Sequence, residues 1–166
     1  MKNLSTKQLT TYGLFIALVV VATVVLVLPA FFTRGFVNLG DTMVLFSSFL
    51  WGGVPGMIIG GLGSAIADMT LGYYIYAPIT LIVKGLEGFI AGKLFFAFKK
   101  RKSTSIWISY LSALWMAFGY YVAEIFLYGH EAALASTVGN LIQAFTAATA
   151  AWILYYAIGE RIRSKE

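Results

Sequence analysis

The side chains of this sequence best suited to hold a polar solute sit within or between long apolar runs. Asp68, Lys84, Glu87 and Glu124 are ionisable, and Asn38, Asn140 and Gln143 are amides. An ionisable group inside a membrane segment is costly, and it usually faces a cavity, water or a partner group. Together these residues offer an ammonium, carboxylates and amides, a set that can hydrogen-bond the edge of a small polar molecule. Tyr76 and Tyr121 add flat faces to cover a ring. Catalytic chemistry is harder to assemble. The chain has no cysteine, which excludes disulfides, thiolate catalysis and Cys-based metal sites. His130 is the single histidine, so paired-histidine metal sites are absent, and it lies at the outer surface, so no Ser–His–Asp set can be placed at a common depth. GFIAGK at 88–93 is too short for a phosphate loop and falls inside an apolar run. The residues therefore read as a binding site, with no catalytic residue, no metal ligand and no cofactor of its own.

The elements that must position this site are membrane helices. Of 166 residues 60% are hydrophobic and 11% charged, against about 25% charged in soluble domains. With a mean hydropathy of +0.82, the chain is an integral membrane protein, expected as one domain over residues 1–166. The net charge of +5 does not point to nucleic acid, because the basic residues cluster at membrane edges. The first apolar run, from about Tyr12 to Phe32, exceeds the roughly 7–15 residues of a signal-peptide core and reads as a retained helix. With about 20 residues per span, helices are expected at about 10–32, 41–51, 54–72, 78–98, 104–128 and 131–159. The fold class is an all-α membrane protein, a six-transmembrane-helix bundle. GGVPG at 52–56 breaks the second helix from the third. The second is too short to span alone and must be sheltered, tilted or extended through 36–40. Pro78 suits the first turn of the fourth.

Lys2, Lys7, KKRK at 99–102, Arg161, Arg163 and Lys165 fall on one side of a six-span arrangement, leaving Arg34 and His130 on the other. By the positive-inside rule both termini are cytoplasmic, and the loops at 33–40, 72–77 and 129–131 face outward. KKRK reads as a stop-transfer anchor. The polar residues then share a depth: Asp68 and Glu124 lie about one turn from the outer end of their helices, Lys84 about two turns and Glu87 a turn deeper, with Asn140 and Gln143 near the midplane. That layer suits a pocket open to the outside and closed below, whereas a channel or proton relay would continue it through the inner half. Plainer readings exist. Lys84 and Glu87 are spaced to pair along one helix, Asn140 and Gln143 to join helices, and Tyr73 and Tyr128 to form an interfacial belt. In RGFVNLGDTMV (34–44), Asp41 is placed to cap the second helix after a turn at Gly40. Asn38 is expected over the pocket as a lid, and Arg34 as an outer-edge charge. Small residues recur four apart at Gly52, Gly56, Gly60 and Ser64 and at Gly88 and Gly92, for internal packing. Gly13 and Ala17 repeat the spacing on the first helix, where they are available to another membrane subunit.

GFVNLGDTMV (35–44) and GSAIADMTLGYYIYAPITLIVKGLEGFIAG (63–92), with Glu124 and Asn140, resemble the substrate-binding S components of energy-coupling factor (ECF) vitamin transporters over nearly the whole chain. The resemblance is nearest to the pyridoxine and hydroxymethylpyrimidine types, with riboflavin next. It implies a six-helix vitamin-binding subunit of the prokaryotic cell membrane. It also implies partners, a transmembrane T subunit and two cytoplasmic ABC-type ATPases that use ATP and Mg²⁺ and drive toppling of the S component. The T-subunit contact carries over to Gly13 and Ala17, where the family's Ala-x-x-x-Ala begins here with glycine. Two other classes stand against this reading: a small membrane enzyme acting on lipids, for which the acids are too scattered to share a metal, and a stand-alone transporter or channel.

Overall fold

The computed structural model of the chain describes residues 5–25 and 38–163, and the backbone alone of 28–29 and 36–37. Helix α1 is Thr6–Val25, and a short antiparallel pair follows, β1 (Leu28–Pro29) with β2 (Phe36–Val37). Next come α2 (Gly40–Trp51), α3 (Gly53–Thr70), α4 (Tyr76–Ala97), α5 (Lys102–Tyr128) and α6 (His130–Leu154). A π-helical segment, Tyr155–Gly159, and a last turn, α7 (Glu160–Arg163), end the described chain. The six expected helices are present. One boundary is corrected: the first helix was expected to reach residue 32, but 28–29 are extended and paired with 36–37. Expectations for Lys2, Arg34 and Lys165 fall outside the described residues.

Helices α1, α5 and α6 with its extension are long and apolar enough to cross a membrane by length and composition. Their outer faces carry bare apolar side chains such as Phe126, 85% exposed, and Trp107, 75% exposed, which would be a liability in water and suit lipid. Helix α2 has 12 residues and, at about 1.5 Å each, spans about 18 Å of a core about 30 Å thick. It survives because it runs through the middle of the bundle, touching α1, α3, α4, α5 and α6, with ten of its residues buried. Backbone that ends at mid-depth is tolerated only where protein surrounds it. Gly52 makes the break to α3, at φ +94°, a conformation that favours glycine.

The most extensive contact is α3 against α4, and its seam is glycine. Gly88 lies on the Gly56 backbone and Gly92 on that of Gly52, while a Cβ on Gly61 would come within 2.8 Å of the Leu81 carbonyl oxygen. Side chains are excluded there, so main chains meet directly, as small-residue spacings permit. Lys7, Lys99–Lys102, Arg161 and Arg163 gather at one end of the bundle, where Lys102 Nζ lies 3.1 Å from Glu160. Just inside that end an aromatic plug fills the core. Phe49, Phe95 and Tyr155 pack with centroids 4.8–5.4 Å apart, and Phe15 meets Trp51 edge-on at 4.6 Å.

Candidate substrate-binding site

Toward the opposite end the helices turn polar faces to one another. Ser64 and Asp68 are four apart on α3. Tyr76, Thr80 and Lys84 are successive steps of four on α4, and Tyr120 and Glu124 are four apart on α5. Asn140 and Gln143 are three apart on α6. Such spacings stack side chains on one face of a helix. The four faces, with Thr23 of α1, Asn38 and Tyr73, line a cavity of about 70 Å³. The aromatic plug closes the bundle beneath it.

Its floor is a buried ion cluster. Lys84 Nζ donates to Asp41 Oδ1, and Glu87 Oε2 lies 3.7 Å from the same nitrogen. The three side chains are 4%, 1% and 0% exposed. Gln143 Nε2 donates to Asp41 Oδ2 at 2.8 Å, while the Asn38 amides, main chain and side chain, donate to Gln143 Oε1 at 3.1 and 3.2 Å. Asn38 Oδ1 accepts from Gly40 N, which fixes the turn into α2. A continuous chain of contacts thus joins the mouth at Asn38 to the floor at Glu87.

The walls form separate pairs. Tyr76 OH donates to Glu124 Oε1 at 3.1 Å, and Ser136 Oγ donates to Oε2 of the same carboxylate. Thr80 and Tyr120 hydroxyls bond each other at 2.8 Å, and Lys84 Nζ sits 5.6 Å from the Tyr120 ring centre. Other groups are left open: among the described residues Asp68 Oδ2 and Thr23 Oγ1 are buried without a hydrogen bond. Among the described residues the Asn140 side chain has no hydrogen-bond partner either.

Of the side chains singled out from sequence, Asn38, Asp68, Tyr76, Lys84, Glu124, Asn140 and Gln143 line this cavity. Glu87 and Tyr121 do not. Glu87 lies behind Lys84, and Tyr121 turns outward, its hydroxyl 3.2 Å from His130 Nδ1. The tyrosine facing inward on α5 is Tyr120, one helical turn before Glu124. Sequence reasoning also passed over Thr23, Ser64 and Thr80 as lining residues. The last two sit one turn from Asp68 and from Lys84, a spacing that pointed to them. Asp41 is corrected outright. Read as a helix cap, it makes no cap hydrogen bond, the N-cap position being Leu39, and is instead the counter-ion of Lys84. Lys84 and Glu87, spaced to pair along their helix, do form an ion pair at 3.7 Å, while the Lys84 hydrogen bond goes across to Asp41 on α2. Gly13 and Ala17 lie away from the pocket on the exposed face of α1, and a Cβ at Gly13 would meet nothing within 4 Å.

Among the described residues no group of His, Cys, Asp and Glu side chains is arranged to hold a metal ion. Residues 3–160 match the family model described as ECF-type riboflavin transporter, S component. An uncharacterised protein of Pyrococcus woesei is 32% identical over 145 residues, covering 87% of this chain and 96% of its own. The thiamine precursor transporter HmpT of Lactococcus lactis is 29% identical over 145 residues, covering 86% of this chain and 82% of its own.

Proposed function

This chain belongs to the ECF-type riboflavin transporter S component family, a family of integral membrane transport subunits and not of enzymes, and from that premise we propose that its cavity captures a single-ring vitamin or vitamin precursor. The substrates favoured are pyridoxine and hydroxymethylpyrimidine. The observation that carries this is a small pocket, closed below, with open polar groups between tyrosines. About 70 Å³ holds about five to seven waters at about 10–15 Å³ each, the bulk of one substituted six-membered ring. Tyr76 and Tyr120 cover the ring, while Asp68, Asn140 and Thr23 meet its edge. The description of the Lactococcus relative as a thiamine precursor transporter supports this size class.

Uptake then needs an energy source outside this chain, since its residues offer no nucleotide site. We assign it to a transmembrane T subunit and two cytoplasmic ATPases, which consume ATP with Mg²⁺. The T subunit is assigned to the bare face of α1 at Gly13 and Ala17. The pocket opens to the outside and the basic end lies in the cytoplasm, by the positive-inside rule. A riboflavin-binding reading is favoured by one observation, the family's description.

The test is ligand identification on the detergent-purified chain. Released small molecules are analysed by mass spectrometry, and pyridoxine, hydroxymethylpyrimidine, thiamine and riboflavin are titrated against wild type and Asn140→Ala. One single-ring ligand that binds wild type and is weakened in the variant is the expected result. Riboflavin as the sole ligand would replace this reading with the second, and no binding across the panel would remove both.

A further inference from the structure

The charges of the pocket are unevenly satisfied. Counting its lining and its floor, four carboxylates (Asp41, Asp68, Glu87 and Glu124) stand against one ammonium, Lys84. Lys84 donates to Asp41 and has Glu87 3.7 Å away, so its charge is already matched within the protein. Glu124 accepts a hydrogen bond at each oxygen, from Tyr76 and from Ser136. Asp68 differs: it is 6% exposed, it lines the cavity, and its Oδ2 has no hydrogen bond. A buried carboxylate oxygen left unpaired costs free energy that a donor in the cavity would recover.

We propose that Asp68 is the specificity-determining residue of this pocket and that it selects a basic heteroaromatic ring by accepting an N–H from an exocyclic amino group. The inference rests on the reading of the cavity as the site of a single-ring vitamin or precursor, and it narrows that class. An amino-substituted pyrimidine presents a polarised N–H of the kind the open Oδ2 of Asp68 needs. Its remaining ring nitrogens and a hydroxymethyl group can pair with the Asn140 amide and the Thr23 hydroxyl, which are also open. A flat ring edged by carbonyl oxygens presents acceptors to Asp68, and two acceptors facing each other are repulsive. The amide and hydroxyl groups lining the cavity do not make this discrimination, because each accepts as readily as it donates, and Glu124, the other lining carboxylate, already accepts from Tyr76 and Ser136.

The experiment compares two ligands on two proteins. 4-Amino-5-hydroxymethyl-2-methylpyrimidine and its analogue lacking the amino group are titrated against wild type and Asp68→Asn in detergent, with pyridoxine and riboflavin alongside. A hydrogen bond to a charged group corresponds to a preference for the amino compound of about 10- to 150-fold in wild type. In Asp68→Asn that preference is expected to fall to within about threefold. The comparison within wild type needs no variant to fold, and Asp68→Glu, which keeps the charge, is expected to retain part of the preference. Equal affinity for the two pyrimidines in wild type, or a preference unchanged in Asp68→Asn, overturns the assignment. Binding of pyridoxine or riboflavin with no binding of the aminopyrimidine also overturns it, while leaving a vitamin-binding subunit in place. No binding of any of the four ligands removes the parent reading with it.

Discussion

Lys84→Met is the most informative single change, because the structure sets opposing terms of similar size around that side chain. Lys84, Asp41 and Glu87 are nearly or wholly out of solvent. At the 3.7 Å separating Lys84 from Glu87, and an effective dielectric constant of about 20, the gross attraction is about 4 kcal/mol. Desolvating each ion costs several kcal/mol, so the cluster as a whole adds little net stability. Removing only the cation is another matter. It leaves two carboxylates buried side by side, and breaking a buried pair in this way costs about 3–5 kcal/mol. For a chain of this size about 1 kcal/mol moves Tm by about 2–4 °C, so the expected fall is about 6–20 °C. Thermal unfolding in detergent, followed by tryptophan fluorescence, reads it directly. The second half of the argument is the rescue. Asp41→Asn in the Lys84→Met background removes one of the two orphaned carboxylates, the one that Lys84 hydrogen-bonds, while keeping an acceptor for Gln143 Nε2, and it is expected to return more than half of the loss. Glu87→Gln alone is expected to change stability by less than about 1 kcal/mol, since the cost of burying the Glu87 carboxylate offsets its attraction to Lys84. A Lys84→Met protein that melts with wild type would refute the reasoning. So would a double variant showing the summed losses of its two single changes.

Other expectations follow from the same geometry. Gly88→Val places a side chain on the Gly56 backbone and should cost about 1–3 kcal/mol or more, seen as lost monodispersity in size-exclusion chromatography. Gly13→Val meets nothing and should leave both folding and ligand affinity of the isolated chain unchanged. Tyr76→Phe strips a hydrogen bond from Glu124 and is expected to weaken ligand binding by about 5- to 150-fold in calorimetry, the equivalent of about 1–3 kcal/mol. Tyr121→Phe, one residue from the pocket face of α5, should bind like wild type. Phe95→Ala opens the aromatic plug and should cost about 3–5 kcal/mol in stability with little change in affinity in the same calorimetric titration, because the plug lies below the pocket floor.

The sequence made legible whatever depends on local runs. Apolar length placed six helices, and GGVPG placed the break that the structure puts at Gly52. The 28–29 strand was hidden because an apolar run reads the same whether it continues a helix or leaves it. The errors at the site share a cause. Asp41 stands just before an apolar stretch, where a cap is the local interpretation, and its true partner lies 43 positions away on α4. Tyr121 was preferred to Tyr120 because both fall within one turn of Glu124. Only the rotation of α5 against α4, set by Thr80 meeting Tyr120, separates them. Glu87 shares a helix face with Lys84, so spacing grouped the two, but depth put one in the cavity and the other beneath it. Asn38, Gln143 and Asp41 are close only in three dimensions, which no periodicity reveals.

The glycine seam between α3 and α4 bears on how such a pocket can change. Because main chain rests on main chain there, the spacing of these two helices does not depend on any side chain that a ligand would touch. Positions 64, 68, 76 and 80 behave as sockets on a fixed frame, open to exchange without resetting the distance between them. A new specificity can therefore arise by swapping one or two of these residues, with no repacking of the wall behind them. The same separation gives an engineer a practical rule: vary the sockets and leave Gly52, Gly56, Gly88 and Gly92 alone.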